Sequence, residues 1–207
     1  MPNKSNEAGR TMLETIMYIS LLMVLGISIA QYMQNAFRRY KIGRTAQQII
    51  DFKKAIIHFT AADEDYTNLS VANMDKQHAV PLDMRAAVGT AHHALGGTVT
   101  AGPVGPDDNN KYMFYITFNN IFQGGCVEIL TQGQFYGDGS EMDTLIVNNS
   151  TAWRYQYSFY NTTGISNVHT LMPTNPNAPV ANMHLTINDA LNACSDKENN
   201  TITWIFS

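Results

Sequence analysis

One carboxylate stands just inside a long apolar stretch: Gly9-Arg10-Thr11-Met12-Leu13-Glu14 leads into Thr15 to Phe37, a run of 23 residues without a charge. A lone carboxylate at the head of a membrane-length helix costs about 2.5 to 3.5 kcal/mol on insertion scales, so such a residue needs a cation to pair with. The other chemistry-bearing residues fall into no catalytic spacing. His92 and His93 are adjacent and face different ways on any regular element, and His58, His78, His169 and His184 lack the paired spacing of a metal site. No Gly-x-Ser-x-Gly elbow, P-loop or His-Glu-x-x-His is present. Asp63-Glu64-Asp65 and Asp107-Asp108 read as solvated turn charges, and the sequons at Asn68, Asn148, Asn149, Asn161 and Asn199 follow from an Asn- and Thr-rich surface. The expectation is a protein that is not an enzyme, with no catalytic residues, no metal and no cofactor.

The elements that must position Glu14 begin with the apolar run itself, which exceeds the ~20 residues a helix needs to cross a ~30 Å hydrocarbon core. Only the short polar stretch Met1 to Gly9 precedes it, the reverse of a secretory signal, whose apolar region comes before its cleavage site. Beyond it Ile42, Ala46, Ile49, Ile50, Lys53, Ile56 and Ile57 recur at spacings of three and four, so one helix is predicted from about Thr11 to Phe59, apolar first and amphipathic after. Gly26 and Ser28 weaken its apolar half, Gly by about 1 kcal/mol relative to Ala. From Ala61 onward the alternating stretches Lys111 to Phe118, Trp153 to Tyr160 and Thr201 to Phe206 predict antiparallel strands. Pro81 to Val88 and Ile187 to Ala193 predict short helices, the second capped near Thr186 or Asn188, and Ala101 to Asn110 a loop.

Charge divides the chain. Residues 1–60 hold eight basic and three acidic residues, the remainder five basic and fourteen acidic. Arg38, Arg39, Lys41 and Arg44 follow the apolar run at once, placed to meet lipid headgroups or, in an assembly, acidic surfaces of neighbouring copies. No basic domain stands behind them, so no nucleic-acid partner is expected.

A short polar leader ending in Gly9, then an apolar helix with Glu14 as the fifth residue after it, resembles a type IV prepilin. The resemblance implies cleavage between Gly9 and Arg10 by a prepilin peptidase on the cytoplasmic face, and N-methylation of the new amine. Arg10 departs from the apolar or aromatic first residue usual in that family. Glu14 of one subunit then meets the Arg10 amine of a neighbour, each charge offsetting the other's desolvation, which makes the pair a registry device for assembly. A positive-inside count would put the basic cluster in the cytoplasm; the need of the leader to reach a cytoplasmic peptidase outweighs it.

The strings Val80-Pro-Leu-Asp-Met84, His93-Ala-Leu-Gly-Gly-Thr-Val-Thr100, Tyr115-Ile-Thr-Phe118 with Cys126-Val-Glu-Ile129, and Ile187-Asn-Asp-Ala-Leu-Asn-Ala-Cys194 resemble the class B pilins of conjugative thin pili and enteric colonisation pili. Residues 132–182 have no counterpart in that pattern. With the head outside the cytoplasm, Cys126 and Cys194 read as one disulfide. The implied fold is α+β, a long N-terminal helical stem packed on an antiparallel sheet, the pilin lollipop. It divides into a leader (1–9), a transmembrane and assembly half of the helix (10–37), its amphipathic half (38–60) and a globular head (61–207).

The implied function is that of a structural subunit of a type IVb pilus serving adhesion, aggregation or mating contact. Its partners would be identical pilin subunits in a helical filament, the prepilin peptidase, the inner membrane and its assembly machinery, and a host or recipient cell surface. The chain would begin in the inner membrane with a periplasmic head and end in an extracellular pilus. A minor pilin or type II secretion pseudopilin is the alternative within the family; a membrane-anchored periplasmic binding protein or enzyme with an uncleaved anchor is the alternative outside it.

Overall fold

A computed structural model of the chain describes residues 5–63, 65–104, 112–132, 142–148, 150–154, 169–170 and 185–206. Helix α1 runs unbroken over Ser5–Phe59, starting earlier than the apolar pattern alone predicts. Its two apolar-half serines bond within the helix, Ser20 Oγ donating to the Met17 carbonyl at 2.8 Å and Ser28 Oγ to that of Val24 at 3.0 Å. Both hydroxyls are thereby satisfied without water. The chain divides into two compact units, Met1–Lys41 and Ile42–Ser207. In the first, every residue from Met12 to Lys41 is exposed.

In the second unit the remainder of α1 buries Ile42, Ala46, Ile49, Phe52 and Ile56, at spacings of three and four, against a seven-stranded sheet. The buried stripe is centred slightly differently from the sequence pattern. Phe52 lies inside it, whereas Ile57 is exposed and Lys53 sets its Nζ 4.8 Å from the centre of the Phe206 ring. A short helix α2 (Val71–Lys76) follows, with Ser70 as its cap. The strands are β1 (Ala91–His92), β2 (Thr98–Pro103), β3 (Phe114–Ile121), β4 (Met142–Val147), β5 (Ser150–Arg154), β6 (His169–Thr170) and β7 (Asn200–Phe206). Helix α3 (Gln123–Thr131) lies between β3 and β4, and α4 (Ile187–Ala193) precedes β7.

The sheet order is β1-β2-β3-β7-β4-β5-β6, antiparallel throughout except for the parallel β5–β6 pair. The last strand therefore sits in the middle of the sheet. Its inner face carries Trp204, packed edge-on against Phe118 with ring centres 5.6 Å apart, and Phe206, stacked on Phe114 at 5.2 Å. Asn148 takes the left-handed conformation (φ 49°) where β4 turns toward β5, a geometry that Asn tolerates better than most residues.

Several predicted elements change. Pro81 to Val88 is not a helix: Met84 and Arg85 both donate to the Pro81 carbonyl, closing a single turn, and Arg85 then bridges to Ala91. Gly89 follows with a φ of 74°, which ends any helical path. The predicted loop from Ala101 loses its first three residues to β2, which pairs with β3 as far as Pro103 opposite Phe114. Helix α3 had no expectation; it opens on Gln123-Gly124-Gly125, and glycine is a poor helix former. The predicted strand from Lys111 begins at Phe114 and runs on to Ile121, and that from Trp153 is described only to Arg154. Lys111, residues 105–110 and residues 155–160 lie outside the described residues, as does most of 132–182. The final strand and α4 lie where expected, with Thr186 as the α4 cap.

Candidate functional site

Glu14 lies on α1 and is exposed. The next cation ahead of it is Arg38, 24 residues on, or about 36 Å along a helix axis. Arg10 precedes it by four residues on the same helix, so the two positions share a face. Around Glu14 the exposed surface is large and apolar: Met12, Leu13, Ile16 and Met17 all stand out from the helix, and apolar side chains continue to Phe37. A largely apolar cylinder with one carboxylate near its N-terminal end is a surface for burial against lipid or similar helices, and that carboxylate is its one charge between Met12 and Phe37. It has no arrangement for bond-making chemistry.

The second unit holds its part of α1 by more than apolar contact. Gln48, only 2% exposed, donates through Nε2 to Asp83 Oδ2 at 2.7 Å and accepts the Ala94 N–H through Oε1 at 2.8 Å. Arg44 reaches the same Asp83 oxygen at 2.7 Å. Partial burial pushes the Asp83 carboxyl up, but the Gln48 and Arg44 hydrogen bonds and the guanidinium charge outweigh it and leave the pKa below the ordinary value. Arg44 is therefore engaged within its own head, unlike the role read for it with Arg38, Arg39 and Lys41. Nearby, His93 donates from Nε2 to the Asn119 carbonyl at 2.7 Å and accepts the Leu95 N–H at Nδ1, 3.2 Å, which fixes the neutral tautomer. It stacks on Phe118 at 5.1 Å. Burial lowers its pKa, against the opposing effect of the Asn119 bond. A Cβ at Gly97 would collide with both Asn119 O and His93 Nε2, so only glycine fits there.

Cys126 of α3 and Cys194 after α4 form a disulfide, with Cα atoms 6.0 Å apart. Around it lies an amide network. Wholly buried Asn200 donates to the carbonyls of Ile121 (3.0 Å) and Asp196, and accepts at Oδ1 from Asn148 Nδ2 at 2.8 Å. Asn148 also donates to the Ala193 carbonyl and accepts the Thr201 N–H, while Gln123 Nε2 donates to the Cys194 carbonyl at 2.9 Å. Buried amides are tolerated because their capacity is used. The disulfide thus belongs to a frame that ties α3, α4 and the central strand together.

Of the residues singled out in the sequence, Gly9, Arg10 and Glu14 lie together on α1, and Cys126 and Cys194 are joined. Gln48, Asn148 and Asn200 were missed. Gln48 carried a signal, a polar residue next to Ile49 on the apolar side of an amphipathic helix; Asn200 opens β7 directly after Asn199 and carried none. Among the described residues no group of three or more His, Cys, Asp and Glu is disposed to hold a metal ion.

A family model described as PilS N terminal matches residues 39–207. Among solved structures the chain is similar to a type IV b pilin from Salmonella typhi, with 19% identity, a TM-score of 0.49, and coverage of 78% of this chain and 97% of that one. It is also similar to TcpA, a type IV pilin from Vibrio cholerae El Tor biotype, with 15% identity, a TM-score of 0.47, and coverage of 81% and 99%. No curated protein matches it in sequence. The family match spans the amphipathic part of α1 and the whole head, and with it the chain belongs to the PilS family of type IVb pilins.

Proposed function

We propose that this chain is the structural subunit of a type IVb pilus, cut after Gly9 by a prepilin peptidase and polymerised through α1. The observation that carries this reading is the exposed apolar length of α1 from Met12 to Phe37. Such a surface is stable only when covered, first by the inner membrane and then by the stems of other copies, at about 25 cal/mol for each Å² of apolar area withdrawn from water. The head is periplasmic before assembly and extracellular afterwards.

Cleavage leaves Arg10 as the first residue and gives it two cations, the new amine and the guanidinium. N-methylation keeps the amine charged. In a bundle of stems the Glu14 carboxylate of one subunit pairs with Arg10 of its neighbour, and a subunit set at the wrong height strands both charges. Registry comes from this pair because the apolar contacts around it are non-directional. Adhesion, aggregation or mating contact then arises from many heads along one fibre rather than from a strong single site.

Glu14→Ala tests the mechanism. Stranding the partner's charge costs about 3–5 kcal/mol, so filament yield should fall about tenfold or more, with the processed subunit accumulating in the membrane. Filaments at normal abundance from that strain would remove the registry role. Processed wild-type chain confined to membranes would instead favour a minor pilin or secretion pseudopilin, and an intact leader a membrane-anchored periplasmic protein.

A further inference from the structure

We infer that α4 and the turn after it form a docking surface for the basic end of the stem, residues 37–41, of a second copy of this chain; the inference rests on the polymer reading above. Ile187 and Leu191 are four residues apart on α4 and share a face, 64% and 44% exposed, while Ala190 anchors the helix to the head. Exposed Asp196 and Glu198 follow in the turn after α4, with Lys197 between them as the sole base of residues 185–206. The surface is preorganised. The disulfide and the bonds from Asn148 and Gln123 hold the end of α4, and the N–H groups of Glu198 and Asn199 donate to Asp196 Oδ1 at 2.8 and 3.0 Å. Little ordering is left to pay for on docking.

The complementary element is in the chain itself. Phe37 and Tyr40 are exposed, with Arg39 and Lys41 exposed beside them and Arg38 completing the run. Phe37 to Lys41 joins exposed aromatic side chains to three cations within five residues; α4 and its turn join exposed aliphatic side chains to the carboxylates of Asp196 and Glu198. The carboxylates disfavour an anionic lipid surface as occupant and favour the basic segment of another copy.

Position in the head agrees. Strand β7 begins at Asn200, just after the acidic turn, and ends at Phe206, under Lys53 of α1. Gln48, five residues earlier on α1, bonds to Ala94 beside the His93–Asn119 contact, toward the end of the sheet where Ile121 pairs with Asn200. Within the head, then, α1 starts at the end of the sheet that carries the acidic turn. Lys41 directly precedes Ile42, the first head residue of α1. Copies lying side by side and parallel bring the turn of one toward the basic run of the next. Each exposed charge pair contributes little and is screened by salt, but the contact repeats at every subunit.

The test places the photo-cross-linker p-benzoylphenylalanine at Leu191 of the full chain, and separately at Ile187, in cells that make filaments. The expected product is a dimer whose junction peptide joins that position to residues 33–41 of a second copy. In parallel, K41E and E198K should each lower the salt concentration at which filaments shed subunits, and the double variant K41E/E198K should recover it. Junctions only to head residues, to lipid or to another protein would overturn the inference, as would a double variant no better than the weaker single one. Filaments that form but cross-link elsewhere sink this contact alone; absence of filaments from the unsubstituted chain sinks the polymer reading with it.

Discussion

Glu14 is a carboxylate with no cation ahead of it for about 36 Å of helix, while His93 is an imidazole kept neutral by its surroundings. The proposed filament would meet the first need between copies; the second is met within one. His93 has its Nδ1 occupied by the Leu95 N–H and its Nε2–H by the Asn119 carbonyl, so added charge has no acceptor to meet. Burial holds its folded-state pKa below the usual 6.5. Between the folded and unfolded values the unfolded chain binds more protons, so stability is complete above about pH 6.5 and falls as pH drops through that window. Thermal unfolding of the native protein from pH 8 to 5 should show this loss, and His93→Gln should flatten it. An unchanged slope in the variant would assign the dependence to other groups.

At the scale of elements, legibility followed periodicity. The amphipathic half of α1 was plain because Ile42, Ala46, Ile49 and Ile56 repeat at helical spacing, and β7 because Ile202, Trp204 and Phe206 alternate. Helix α3 was hidden: Gly124-Gly125 mimics a turn, its cap Phe122 offers no side-chain hydrogen bond, and α3 is held from outside, by burial of Ile129 and Leu130 in the core, the Cys126 bridge and the bond from Gln123 to the Cys194 carbonyl. Pro81 to Val88 misled in the opposite direction, since its helical composition yields to Asp83 and Arg85, whose partners lie on α1 and α2. Long-range ion pairs leave no local trace. The cysteine pair was readable once export was inferred, and its 68-residue separation contributes about 4 kcal/mol in the loop-entropy model. Replacing both cysteines with alanine should lower head stability by about 2–5 kcal/mol by denaturant titration. A loss well below that range would mean the Asn148–Asn200 network holds the C-terminal region almost alone.

For the molecule as a whole, a basic stem and an acidic head on one chain favour association of many copies and oppose head-to-head contact. The membership in the PilS family accounts for the head; the matched residues begin at 39 and leave the leader, Arg10 and Glu14 to be argued from charge and apolar length. Those N-terminal residues decide whether α1 is processed for assembly. The most direct measurement is mass spectrometry of the N-terminus of the chain in sheared surface fractions, compared with membranes of the same cells. An abundant surface species that begins at N-methylated Arg10 is expected. A chain that keeps Met1 to Gly9, or one absent from the surface fraction, would contradict it.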